Sequence, residues 1–120
     1  MTPDQYKKSQ INFGSSGGFS NIAAKYHLLE NGRLYQKRNT DTTFTELNKQ
    51  NSESVKLIFA KTNHLFDETK ELHEPGNKYI FIKIKHDSTS KELVWGASKD
   101  SSLARAKELY KELMNLVNLK

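Results

Sequence analysis

The sequence predicts an α+β domain: an antiparallel sheet made of an N-terminal strand and two hairpins, with two amphipathic helices on one face. Three observations support this fold class. Two pairs of short alternating segments are each separated by turn residues, and two longer segments repeat apolar residues with the period of a helix. These elements follow one another as strand, hairpin, helix, hairpin, helix. The 120 residues, 35% hydrophobic and 28% charged, suit one globular domain with a modest core.

The first ten residues are polar and contain Pro3, so we interpret residues 1–10 as a flexible tether and residues 11–120 as the domain. Ile11 begins the first predicted strand. The densest glycine cluster of the chain, residues 14–18 with the sequence GSSGG, then interrupts it. Glycine beside a strand indicates a bulge or a close approach of another group. Both a structural and a ligand-binding role are open for this stretch.

The first hairpin is predicted over residues 23–38. Asn31-Gly32 is typical of a two-residue type I′ loop, which fixes the register of both strands. In that register Leu29 faces Leu34, and the neighbouring residues at the loop carry opposite charges. The sequence therefore predicts a hairpin whose apolar residues match in pairs.

A helix is predicted over residues 52–66, where apolar residues recur at helical spacing. An earlier start is indicated by Thr43 and Glu46, which have the spacing of a capping box. Residues 44–50 would then form a short helical turn that leads into the helix. The apolar positions of the main helix are Val55, Ile58, Phe59, Leu65 and Phe66.

The second hairpin starts with a strand over residues 79–85, turns at residues 86–90 and returns over residues 92–95. The isoleucines of the first strand alternate, so we expect Ile80, Ile82 and Ile84 to face the core. Residues 67–77 before it are charged and end in Pro-Gly-Asn, which predicts a turn.

The last helix is expected to begin near Asp100 or Ser101, either of which can cap it. Its apolar stripe indicates a core-facing side. That stripe consists of Leu103, Ala106, Leu109, Tyr110, Leu113, Leu116 and Val117. The charged residues Lys99, Arg105, Lys107, Glu108, Lys111 and Glu112 are predicted to cover the outer side.

Composition narrows the classes of function. The chain has no cysteine and a net charge of +5, but its lysines are interleaved with acids, which favours a mixed surface over a nucleic-acid footprint. No apolar run approaches the roughly 20 residues that cross a bilayer. The four histidines show no metal-binding spacing, so no metal and no cofactor are predicted.

The glycine stretch fits two catalytic patterns only in part. Gly14, Ser16 and Gly18 match G-x-S-x-G literally, yet a predicted hairpin follows where that motif needs a helix. The glycine patterns of phosphate-binding loops are absent from the sequence. We therefore predict no catalytic residue.

A binding surface is the alternative that the residues favour. Trp95 lies on a strand expected to pair with the strand that carries Tyr79 and Phe81, so these rings are candidates for an aromatic patch. The predicted ligand- or partner-binding residues are Ser15, Ser16, Gly17, Gly18, Phe19, Asn77 and Trp95.

Four segments in combination resemble a family of small, uncharacterised lipoproteins of the Bacteroidetes cell envelope. These segments are residues 13–19 (FGSSGGF), 26–35 (YHLLENGRLY), 75–82 (PGNKYIFI) and 94–96 (VWG). Members of that family carry a lipidated cysteine, which this chain lacks. The resemblance implies a location in the cell envelope, with membrane attachment only through a lipid anchor that this chain does not have. A native N-terminus would instead imply the cytoplasm.

The expected function is therefore that of a non-enzymatic, envelope-associated binding domain, monomeric, with an unknown protein or envelope ligand as partner and no nucleic acid. Two alternatives stay open. One is a small inhibitor or immunity-type protein. The other is a small ligand carrier or enzyme with a pocket between the sheet and the helices.

Overall fold

A single mixed sheet and two helices make up the part of the chain that the computed structural model describes, namely residues 6–17, 24–38, 43–47, 49–68, 72–74, 78–87, 89–96 and 104–118. The strands are β1 (Ser9–Gly17), β2 (Ala24–Leu29), β3 (Leu34–Arg38), β4 (Thr45–Glu46), β5 (Leu72–Glu74), β6 (Lys78–His86) and β7 (Thr89–Trp95). The helices are α1 (Ser52–Glu68) and α2 (Ala104–Asn118). The predicted α+β class is confirmed.

The sheet has the strand order β4-β3-β2-β1-β6-β7-β5. Strand β1 lies at its centre and pairs antiparallel with β2 on one side and with β6 on the other, so it joins the two hairpins. All pairs are antiparallel except that of β5 with β7, which is parallel. Strand β5 was not predicted, because its three residues lie in the charged stretch interpreted as a turn.

Both helices cover one face of the sheet, as predicted. Ile11 and Phe13 of β1 are fully buried, and the register places Ile84 and Ile82 of β6 opposite them. Alternation along a strand puts these four side chains on the same face. They belong to one apolar cluster with the buried residues of α1 and α2. We call this face the helix-facing side of the sheet.

The N-terminal boundary of the sheet differs from the prediction. Strand β1 begins at Ser9, two residues before the predicted domain start, and Gln10 is only 2% exposed. Pairing of these residues with β2 and β6 explains why a polar stretch joins the sheet. Residues 1–5 of the predicted tether lie outside the described residues. No helix in the described ranges is long and apolar enough to cross a membrane.

The first hairpin forms, but the predicted register is wrong by one residue. Leu28, not Leu29, pairs with Leu34, and the amide of Leu29 donates to the carbonyl of Arg33 over 2.9 Å. The loop therefore has three residues, and Gly32 at its end has a φ of +94°. Three-residue loops with glycine in this conformation are a common hairpin type. The shift brings Leu28 and Leu34 together on the helix-facing side.

The start of α1 was predicted correctly, whereas the earlier capping box was wrong. Asn51 caps the helix, since its Oδ1 accepts from the amides of Glu53 at 2.8 Å and Ser54 at 3.3 Å. Thr45 and Glu46 form β4 instead of a helical turn, because they pair with β3. The predicted caps of α2, Asp100 and Ser101, lie outside the described residues.

Gly32 gives the first stability prediction. A Cβ at this position would lie 2.9 Å from the carbonyl oxygen of Gln50, and a side chain would also be strained at the positive φ. We expect Gly32→Val to lower the free energy of unfolding by about 2–4 kcal/mol, measured by urea denaturation. Gly32→Asn should cost less, because asparagine tolerates positive φ although its Cβ meets the same oxygen. Equal stability of Gly32→Val and the unchanged chain would contradict this account.

Candidate functional site

The predicted binding stretch is part of the sheet where it is described. Ser15, Ser16 and Gly17 are residues of β1, and the backbone of each pairs with β6. Ser15 is exposed, and its side chain hydrogen-bonds Tyr110 of α2. Gly18, Phe19 and Asn77 of the same prediction lie outside the described residues. The ligand-binding role of this stretch stays a prediction.

Trp95 is a core residue in this structure. It is 2% exposed and pairs with Ile80, which places it on the helix-facing side. Its ring meets that of Tyr110 edge-on, with centroids 6.3 Å apart. Phe81 is the next residue along β6 and therefore faces the other side of the sheet. The predicted patch of Trp95 with Phe81 on one face does not form.

Tyr110 supports a prediction about alkaline stability. Burial, partly opposed by the Ser15 hydrogen bond, raises the pKa of Tyr110 above its ordinary value of 10.0. The native state thus favours the neutral phenol, so its stabilisation is complete below the unfolded pKa and is lost as the pH rises through the folded pKa. We expect Tyr110→Phe to flatten the fall in stability that sets in as the pH rises above about 10, measured by urea denaturation.

Ser15→Ala is the matched variant for that experiment. It removes the hydrogen bond that lowers the pKa of Tyr110 but keeps the phenol, so the alkaline loss of stability should persist and become steeper. An unchanged slope in Tyr110→Phe would show that other groups cause the loss.

A groove between α1 and α2 brings five ionisable side chains together. It has a volume of about 340 Å³ and an apolar floor formed by Leu65 and Leu109. We call it the interhelix groove. Its other lining residues are Lys61, His64, Arg105, Glu108 and Glu112.

Helical spacing explains how these residues meet. On α1 the lining residues lie three and four apart, and so do those of α2, so each helix presents one ridge to the other. The Nζ of Lys61 is 2.8 Å from Oε1 of Glu112, while Arg105 pairs with Glu68 at the far end of the groove. Of these two contacts, the one nearer the start of α1 involves the residue nearer the end of α2, so the two helices are antiparallel.

The ion pairs of the groove are exposed to solvent. Glu68 also accepts from His64, with 2.9 Å between its Oε1 and Nε2 of the histidine. The side chains of Lys61 and Glu112 are 46% and 43% exposed. Exposed pairs of this kind contribute only about 0.2–1 kcal/mol each to stability. They place the carboxylate of Glu112 beside the ammonium group of Lys61 at the groove.

Two carboxylates line the same groove one helical turn apart. Glu108 and Glu112 occupy positions i and i+4 of α2, where Cβ atoms are about 5–6 Å apart. Glu112 is paired with Lys61, whereas Glu108 has no ion-pair partner among the described residues. Two carboxyl groups one helical turn apart at a groove are an arrangement that acid–base chemistry can use.

The comparison with protein families decides the affiliation of the chain. The family model described as glycosyl hydrolase family 26 matches residues 3–120. The chain belongs to glycosyl hydrolase family 26. A comparison with curated proteins finds no significant match.

Membership in this family corrects several sequence-based expectations. The resemblance to envelope lipoproteins is wrong, because the match over residues 3–120 is to a glycosyl hydrolase family. The expectation of a non-enzymatic binding protein is contradicted by the same match, whereas the absence of a catalytic residue stays a prediction. An enzyme, which was one of the open alternatives, agrees better with it. The envelope location, the monomeric state and the unknown partner stay predictions.

The carboxylates of the interhelix groove were missed for a specific reason. Glu108 and Glu112 alternate with lysines on α2, and this pattern is typical of a solvated helix face. A signal was present, since α1 carries Lys61, His64 and Glu68 at helical spacing beside its own apolar stripe. Two charged ridges that each flank an apolar stripe can meet when the stripes pack on one sheet.

Proposed function

We propose that this chain hydrolyses glycosidic bonds and that the interhelix groove holds the reacting carboxyl groups. The observation that carries the proposal is the family match over residues 3–120. The groove supports it with a pair of carboxylates on one ridge and a volume of about 340 Å³, which lies within the range of small-molecule sites.

Glycoside hydrolysis most often needs two carboxyl groups with different roles. One donates a proton to the leaving glycosidic oxygen, and the other acts in its ionised form, either as a nucleophile at the anomeric carbon or as the base that activates water. We assign the role of nucleophile or base to Glu112, whose carboxylate is held 2.8 Å from the ammonium group of Lys61.

Glu108 then has the role of the proton donor. Its carboxyl group would protonate the leaving oxygen while the bond to the anomeric carbon breaks. If Glu112 is the nucleophile, Glu108 would then take a proton from the water that attacks the glycosyl-enzyme; if Glu112 is the base, that proton goes to Glu112. The guanidinium group of Arg105 borders the same groove and is a donor for sugar hydroxyl groups.

The experiment is a hydrolysis assay on neutral polysaccharides, among them mannans, xylans and mixed-linkage glucans, with new reducing ends as the readout. We expect the unchanged chain to release sugars from at least one of them. The double variant Glu108→Gln, Glu112→Gln should release none above background.

Glu53→Gln is the matched control. It makes the same chemical change at an exposed carboxylate in the first turn of α1, away from the groove, and should keep full activity. Absence of hydrolysis on every polysaccharide, or full activity in the double variant, would contradict the proposal.

A further inference from the structure

A second groove lies on the other side of α1, where the helix-facing side of the sheet ends. It has a volume of about 320 Å³, and we call it the sheet-end groove. Its lining residues are Ser9, Asn63, Phe66, Asp67, Ile84, His86, Thr89, Ser90 and Lys91. At 100° per residue, Asn63 and Asp67 flank the buried face of α1 on the side opposite Lys61 and His64. The two grooves are therefore separate.

The polar wall of the sheet-end groove is held in place by the sheet. Ser9 and His86 are cross-strand partners, and Ser9 Oγ is 2.7 Å from His86 Nδ1. The backbone of Ser9 is fixed from its other side, because it exchanges hydrogen bonds with Glu30. Thr89 closes the β6–β7 turn by donating its hydroxyl to the carbonyl of His86 over 2.9 Å. These contacts pre-organise the wall, which lowers the cost of ordering it around a ligand.

The floor of the groove is apolar. Phe66 of α1 and Ile84 of β6 are 6% and 8% exposed and belong to the main core, so the floor does not depend on mobile side chains. Polar groups from four elements surround it, since β1, α1, β6 and β7 each contribute lining residues. An apolar floor with a few convergent polar groups is the usual construction of a small-molecule site.

The charges of the lining residues select the chemical class of the ligand. Asp67 and Lys91 carry opposite charges, so the formal charge of the lining is zero when His86 is neutral. A phosphate or carboxylate would be repelled by Asp67, and an ammonium ligand would be repelled by Lys91. The remaining groups are hydroxyls, an amide and an imidazole, which both donate and accept hydrogen bonds. Ligand hydroxyl groups match such a mixed set, and the C–H face of a sugar ring matches the apolar floor.

We propose that the sheet-end groove is a binding site for a neutral sugar, distinct from the interhelix groove in which hydrolysis is proposed. The ring would lie against Phe66 and Ile84. Its hydroxyl groups would bond with Asn63, Asp67 and the polar residues of the β6–β7 turn. This site goes beyond hydrolysis, because it binds a sugar that the chain does not cleave.

The test is binding of single neutral monosaccharides, which contain no glycosidic bond and so report binding alone. Glucose, mannose, galactose and xylose are titrated against the full chain and followed by backbone amide chemical shifts. Glucose 6-phosphate and glucosamine serve as charged comparators. We expect at least one neutral sugar to shift the amides of β6, β7 and the second half of α1, and to bind more tightly than both comparators.

The variant for this test is Asn63→Ala, on the exposed side of α1. We expect it to weaken sugar binding about tenfold, as loss of well-placed hydrogen bonds does. Its hydrolytic activity and its circular dichroism spectrum should not change. Glu108→Gln is the reciprocal control, which should keep monosaccharide affinity.

Three results would overturn the proposal. They are no binding of any neutral sugar, tighter binding of glucose 6-phosphate or glucosamine, and a loss of affinity in Glu108→Gln but not in Asn63→Ala. The last would place the sugar in the interhelix groove. Failure of hydrolysis would show in the polysaccharide assay alone, so the two proposals fail separately.

Discussion

Replacing Trp95 with alanine is expected to lower the free energy of unfolding by about 3–5 kcal/mol, as for other large aromatic residues in protein cores. The indole is 2% exposed and belongs to the apolar cluster between the sheet and the helices. It lies on β7 opposite Ile80 and contacts Tyr110 of α2 edge-on. Truncation would remove the transfer free energy of the ring and leave a cavity beneath α2. Few small domains keep a large native population after such a loss.

The measurement is urea denaturation followed by circular dichroism, because the variant loses the tryptophan fluorescence signal. Leu57→Ala is the matched control, since Leu57 is a large apolar residue of α1 that is 57% exposed. We expect it to change stability by no more than about 0.5 kcal/mol. Trp95→Phe should fall between the two, because it keeps part of the ring volume. A Trp95→Ala variant as stable as Leu57→Ala would mean that the ring is not packed in the core.

The fold could be predicted where the pattern of the sequence is local and periodic. The apolar residues of α1 and α2 repeat with one helical period, and the isoleucines of β6 alternate, so their core-facing sides follow directly. The predicted start of α1 at residue 52 was also right, and Asn51 caps the helix there. In each of these places the burial of one face determines the structure.

The predictions were wrong where the same sequence pattern is compatible with two local structures. Asn31-Gly32 suits a two-residue loop, but a three-residue loop ending in Gly32 also satisfies glycine at positive φ. Core packing favours the three-residue loop, because this loop places Leu28 and Leu34 together beneath the helices. Strand β5 is a similar case, since its pairing with β7 depends on a distant strand edge and not on its own residues.

The candidate catalytic groups were missed because the interhelix groove is formed by the packing of two helices. Glu112 and Lys61 are far apart in sequence, and either one alone looks like an ordinary residue of a solvated helix face. Only the antiparallel arrangement of α1 and α2 brings the two charged ridges together. The glycine stretch, by contrast, drew attention because glycine is conspicuous in sequence, although its described part is a regular segment of β1.

Replacing Glu112 with glutamine is expected to abolish most of the hydrolytic activity, with a fall in kcat of about 10²–10⁴-fold. Glutamine keeps the size of the side chain but cannot carry the negative charge that the proposed nucleophile or base needs. The fold should tolerate the change, because the pair with Lys61 is exposed and contributes only about 0.2–1 kcal/mol. The expected signature is therefore a loss of kcat with nearly unchanged Tm.

Lys61→Met tests whether the role of Glu112 depends on its ion pair with Lys61. This variant keeps the carboxylate and removes the ammonium group 2.8 Å away, so we expect a smaller loss of kcat than in Glu112→Gln. If the proposed roles are correct, Glu112→Gln and Lys61→Met together should be no worse than Glu112→Gln alone, because Lys61 acts through that carboxylate. Additive losses would assign Lys61 a contact with the substrate of its own. Full activity in Glu112→Gln would remove Glu112 from the mechanism and leave Glu68, across the groove beside Arg105, as the next carboxylate to replace.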